Sequence, residues 1–138
     1  MLFRSIIPRE GYGEVERLAG QGSTLHKKHR LYLQHVGIVT PPENYASRLV
    51  RMFRSAGWRR LKLYALDPHD LALSKLERNA ERDREDILHL AAAGHLNPNV
   101  LKERYQAELR PYLLARPAWH DQTLELWLAM CWPAPGPR

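Results

Sequence analysis

In the second half of the chain apolar residues recur every three or four positions, whereas two stretches of the first half alternate. The first pattern belongs to helices with one buried face, the second to half-buried strands. "PREGYGEVERLAG" (8–20) predicts a short helix, with Pro8 suited to a first turn, Val15 and Leu18 three apart and Gly20 as the stop. "QGSTLHKKHR" (21–30) is polar and basic and predicts a connection. "LYLQHVGIV" (31–39) is rich in β-branched and aromatic residues and predicts a strand ended by Pro41 and Pro42. In "NYASRLVRMFRSAG" (44–57), Tyr45, Leu49, Met52 and Phe53 fall at helical spacing before Gly57, which predicts a helix. "RRLKLYAL" (59–66) alternates Leu61, Leu63 and Ala65 with Arg60, Lys62 and Tyr64 and predicts a strand.

The stretch "LDPHDLALSKLERNAERDREDILHLA" (66–91) opens with a strong helix signal. Asp67 stands at the cap, Pro68 at the first helical position and Asp70 within the first turn. The helix should run over 68–79 with Leu73 and Leu76 inward, and loosen at Asn79 and Ala80. A second should follow, started by Asp83 with Asp86, burying Ile87, Leu90 and Ala91 and ending at Gly94. Asn97 and Pro98 start a third over 97–114, with Val100, Leu101, Tyr105 and Leu109 as its stripe. A last helix over 118–132 carries Trp119, Leu124, Trp127, Leu128 and Cys131, and "PAPGPR" (133–138) is a flexible tail. The expected fold class is α+β, with two to three strands followed by a helical half of about four helices. We expect one domain over 1–138, with a helix and sheet portion (1–66) and a helical portion (67–132).

Composition narrows this only a little. The 138 residues are 44% hydrophobic and 26% charged, an ordinary folded balance. A net charge of +6 favours phosphate-bearing or acidic partners. A lone cysteine, Cys131, excludes an internal disulfide and a cysteine zinc site and fits a reducing compartment. No apolar run approaches the roughly 20 residues that span a bilayer, and the N-terminus lacks a secretory pattern. A cytoplasmic chain without a membrane partner is expected.

Candidate chemistry is sparse. Gly22-Ser23 could open a phosphate loop, but nucleotide transfer also needs an acidic pair some ten residues on to hold Mg²⁺, and no acid occurs between Glu16 and Glu43. No catalytic residue and no metal ligand is therefore assigned. Lys27, Lys28 and Arg30, with His26 and His29, form a compact basic cluster. Together with Arg59 they are candidates for phosphate or nucleic-acid contact, and the bland alternative is a solvated loop. Within 66–91 some charges pair at helical spacing, as Arg78 with Glu81 and Arg82 with Asp86, but Glu77–Glu81 and Arg78–Arg82 repel. Lys75 is the odd member, a cation between Leu73 and Leu76. Its stem can pass the core to reach water, or its ammonium can be held to meet an anion. Serine and cysteine nucleophile motifs, a Walker loop and a dinucleotide fingerprint are absent.

The elements "LDPHDL" (66–71), "SKL" (74–76) and "RDRED" (82–86) closely resemble a bacterial family of nucleotidyltransferase-like proteins of unknown function, related in turn to AbiEii-type toxins of toxin–antitoxin systems. Softer similarity extends through 22–49 and 101–113, so that the resemblance covers about residues 10–130. It implies part of a polymerase-β-like nucleotidyltransferase sheet followed by helices. It also implies that Asp70, Lys75, Arg82, Asp83 and Asp86 lie near a nucleotide site. The Gly-Ser turn and metal-holding acids of such proteins lie upstream of the matched region. "LFRS" after Met1 is also what a common sequencing adaptor gives on translation, so we expect a truncated or degenerate member, inactive alone. Mg²⁺ and a nucleoside triphosphate are then expected only for a full-length relative. A basic nucleic-acid-binding or protein-binding module, with an antitoxin-like partner, is the alternative.

Overall fold

The computed structural model describes residues 11–34, 40–55, 57 and 62–134. They fall in two compact units, one within residues 1–38 and 51–65, the other within 39–50 and 66–138. The fold is α+β: a two-stranded sheet and a predominantly helical second half.

In the first unit, α1 (Tyr12–Ala19) stops at Gly20, whose N–H reaches the Glu16 carbonyl at 2.7 Å. A Cβ there would lie 2.3 Å from that oxygen, so only glycine allows the approach. The expected connection over 21–30 is instead helical over α2 (Thr24–His29). Ser23 caps it by accepting the His26 N–H at 3.1 Å, a local signal hidden by the surrounding basic residues. The expected strand over 31–39 does not form over 31–34, where Leu33 N–H donates to the Ala19 carbonyl at 2.8 Å; residues 35–39 lie outside the described residues.

The expected helix over 44–57 is also replaced. Tyr45–Arg48 form a single 3₁₀ turn, Leu49 turns extended, and β1 (Val50–Met52) pairs with β2 (Leu63–Ala65). Helical spacing of four apolar residues there gives way to pairing with a distant strand and to the tertiary ion pairs of Arg48. The predicted strand over 59–66 is seen at β2, and 58–61 lie outside the described residues. Val50 and Tyr64 are exposed.

The second unit holds the core. Asp67 caps α3 (Pro68–Leu73) by accepting the His69 N–H at 3.0 Å. This helix ends earlier than expected: over 74–78 the chain continues as tight turns, with Lys75 N–H to the Ala72 carbonyl and Leu76 N–H to Leu73. Asn79 takes a positive φ of 42°, a conformation asparagine tolerates better than most residues. Then α4 (Glu81–Ala92) begins, with Asp83 in its first turn accepting the Ala80 N–H at 3.1 Å, and Gly94 follows its end at φ 75°. Next comes α5 (Pro98–Arg104), capped by Asn97, which widens into a π-turn over Tyr105–Leu109 and tightens to 3₁₀ over Arg110–Tyr112. Pro111 has no N–H to continue the ladder. α6 (Pro117–Cys131) closes the unit.

Leu73, Leu76, Ile87, Leu101, Tyr105, Leu109, Leu124 and Trp127 pack as one cluster, as the periodicity predicts. None of the helices is long and apolar enough to cross a membrane, among the described residues.

Candidate functional site

Two groups of charge dominate the second unit. In the first, Asp70 is wholly buried. It accepts from Arg48 Nε at 2.8 Å and Nη2 at 3.0 Å, and from Arg104 Nη1 at 2.9 Å. The same Arg104 nitrogen donates to Asp67 at 2.6 Å, and Arg48 donates to both oxygens of Glu108. His69 joins through Nδ1, 3.2 Å from Asp67, while its Nε2 accepts the Asn97 N–H at 2.9 Å. Those two contacts place the ring proton on Nδ1. Two guanidiniums and three carboxylates thus bind the 3₁₀ turn, α3 and the α5–π segment together.

The second group surrounds Lys75, which is buried. Its Nζ contacts Asp86 and lies 3.4 Å from Asp83. Asp83 is wholly buried as well and is held in a fork by Arg78. The turn carrying Lys75 and Arg78 is fastened from behind by α6. Trp119 Nε1 donates to the Glu77 carbonyl at 2.9 Å, and Trp127 Nε1 to Asn79 Oδ1 at 3.0 Å. Arg84 adds a bond to the Asn79 carbonyl at 2.7 Å. Trp127, which is buried, and Trp119, which is half-buried, act through their polar edge as well as their area.

These contacts set the acid–base character of the site. Burial pushes the Asp83 carboxyl up, but Arg78, the Ala80 N–H and Lys75 outweigh it and hold it below the usual carboxylate range. Asp67 is likewise raised by burial and lowered further by Arg104 and the His69 bonds. Arg48 holds Glu108 low, and Arg110 with Tyr105 does the same for Asp121. Burial and the neighbouring Asp121 in turn push the Tyr105 phenol well above its ordinary value. Carboxyls lowered on folding stabilise the protein above their unfolded pKa of about 4 and lose that contribution as pH falls through the lower folded value. The urea midpoint should therefore hold steady on acidification to about pH 4 as far as these groups act, then drop. A midpoint unchanged down to about pH 2.5 would show that these pairs do not stabilise the fold.

Of the nucleotide-site candidates, Lys75, Asp83 and Asp86 come together. Asp70 belongs to the other group, bonded to Arg48 and Arg104. Arg82 is exposed and has no ion-pair partner among the described residues. Lys27 and Lys28 lie exposed on α2 with Arg30 at its end, and Arg59 lies outside the described residues. Arg48, Arg104, Glu108 and Asp67 as an ion-pair partner escape sequence reasoning. Their ion pairs join residues up to 60 positions apart, and no spacing rule brings such residues together. Among the described residues, no three His, Cys, Asp or Glu side chains gather as a metal site would require. Asp70 and Asp83 are committed to guanidiniums.

Residues 30–127 match a protein family described as nucleotidyltransferase of unknown function (DUF6036). No curated protein and no solved structure matches the chain.

Proposed function

The chain belongs to this nucleotidyltransferase family of unknown function, and on that footing we propose that the Lys75 group is one wall of a site for the phosphates of a nucleotide. The observation carrying this reading is the asymmetry of the two acids on Lys75. The Asp83 side chain is fully buried and fixed by Arg78, whereas that of Asp86 is 46% exposed. Asp86 is thus an exchangeable counter-ion: it can turn to water while a phosphate oxygen takes its place on the ammonium. Arg82 stands one helical turn before Asp86, on the same face of α4, and the Arg78 side chain is 59% exposed. Both can add charge to an arriving phosphate. On this reading Asp70 acts at a distance, anchoring α3 and through it the Lys75 turn.

We further propose that this 138-residue chain binds without transferring. In-line transfer needs carboxylates that hold Mg²⁺, and the buried acids here already serve arginines. Such a chain corresponds to a degenerate member of the family. A relation to AbiEii-type toxins, with an antitoxin-like protein partner, belongs to the same proposal.

The test is calorimetric titration with ATP. Lys75→Ala should weaken binding by roughly tenfold or more, the usual worth of a charge-assisted phosphate contact. The fold should survive, since Asp83 keeps Arg78 and the Ala80 N–H, and Asp86 reaches solvent. Unchanged affinity would remove Lys75 from the site. Transfer of labelled nucleotide by this chain with Mg²⁺ would contradict the second proposal.

A further inference from the structure

From the first unit we infer that the segment Ser23–Gln34 is a binding surface for single-stranded nucleic acid. Lys27, Lys28 and Arg30 would take backbone phosphates, and one base would stack on Tyr32.

Three observations meet there. The first is uncompensated charge. Lys27, Lys28 and Arg30 are exposed, and none has an acidic partner among the described residues. Arg17, by contrast, is already bound to Glu14. A six-residue helix is roughly 9 Å long, so the backbone positions of these cations lie within about one Debye length of each other. Their fields therefore add at an approaching phosphate rather than being screened apart.

The second is a positioned aromatic ring. Tyr32 meets His26 edge-on, with centroids 4.9 Å apart and planes at 61°. His26 is itself held: its Nδ1 accepts the Gly22 N–H at 2.9 Å, which leaves the ring proton on Nε2. The tyrosine is thus ordered through a histidine that the loop orders, yet it stays 43% exposed. An exposed, ordered ring next to cations is what an unpaired base needs.

The third is a shallow concavity of about 260 Å³ lined by Glu16, Gly20, Gln21, Tyr32, Leu33 and Gln34. It falls just below the roughly 300–1,000 Å³ of drug-sized ligand sites, which suits a single planar base. The Gln21 and Gln34 amides both donate and accept, as the edge of a base requires. Glu16 would repel a phosphate from this hollow, so the neutral base enters and the phosphates stay along α2.

A duplex hides its base faces in the stack and cannot use Tyr32 in this way. An anionic membrane would find Leu25 and Leu31 exposed, but would also press against Glu16 and two amides.

Fluorescence anisotropy with a labelled oligoribonucleotide of about 12 nucleotides, within the 4–16 that small single-strand sites span, tests the inference. Three phosphate contacts predict that log affinity falls against log salt with a slope near −2 (about 0.7 per contact). K27Q/K28Q should weaken binding at least ~10-fold at low salt and bring the slope to about −0.7. Tyr32→Ala should cost roughly 5- to 150-fold with no change of slope, and Tyr32→Phe should restore binding. These residues are exposed, so thermal midpoints should match the parent within about 2 °C. The proposal is overturned if the duplex of the same sequence binds as tightly, if Tyr32→Ala binds like the parent, or if phosphatidylserine vesicles bind the chain while the oligonucleotide does not. No residue is shared with the Lys75 site, so failure here leaves that reading standing.

Discussion

Asp70→Ala is expected to destabilise the protein by about 3–5 kcal/mol, the usual cost of removing one partner from a buried ion pair. The carboxylate has no access to water and accepts three charge-assisted bonds from two arginines. Its loss leaves the Arg48 and Arg104 guanidiniums with only Glu108 and Asp67 as counter-ions. Those side chains are themselves about a fifth exposed, and water reaching them places the effect in the lower half of that range. Urea unfolding should show a lower midpoint with an unchanged slope. Asp70→Asn keeps the shape and two acceptor lone pairs but loses the charge, and should fall between parent and alanine variant. A loss below about 1 kcal/mol for Asp70→Ala would mean that the cluster orders α3 without stabilising it.

Trp127→Ala should be comparably severe, about 3–5 kcal/mol, because a large buried ring leaves a cavity that helices close only in part. Two effects are combined in that figure, and Trp127→Phe separates them. Phenylalanine keeps most of the packing but cannot donate to Asn79 Oδ1, which isolates the bond at about 1 kcal/mol together with a smaller packing defect. Its structural consequence is local. Asn79 holds a positive φ at the end of the turn that carries Lys75 and Arg78, so freeing its side chain loosens that turn. Trp127→Phe should accordingly weaken ATP binding more than its small stability loss explains. If stability falls and affinity does not, the turn is held by Arg84 and Trp119 alone.

The helical half was largely legible in the chain. Asp67 with Pro68, Asn97 with Pro98, and Gly94 each mark a helix end through bonds or backbone angles formed within a few residues. The stripes Leu73–Leu76, Leu101–Tyr105–Leu109 and Leu124–Trp127 are buried as their spacing predicts. Lys75 stood out as a cation among leucines, and it is buried. In the first half the same rules failed. Tyr45, Leu49, Met52 and Phe53 have helical spacing, yet Arg48 is drawn to Asp70 and Glu108 and the next residues pair with a strand eleven or more positions away. The Ser23 cap was readable, and the basic composition around it obscured it.

Capping, turn preference and apolar periodicity are short-range: they depend on residues within one or two turns, so the order of letters determines them. The meeting of Arg48 with Asp70, of Glu108 with Arg48, and of Trp127 with Asn79 depends on distance through space between positions 22 to 60 apart. Many pairings of the chain's basic and acidic side chains suit the same composition, and close packing of α3 to α6 selects among them. Only the tertiary structure therefore decided that Asp70 is an anchor, that Asp83 is fixed, and that Asp86 alone of Lys75's two acids reaches solvent.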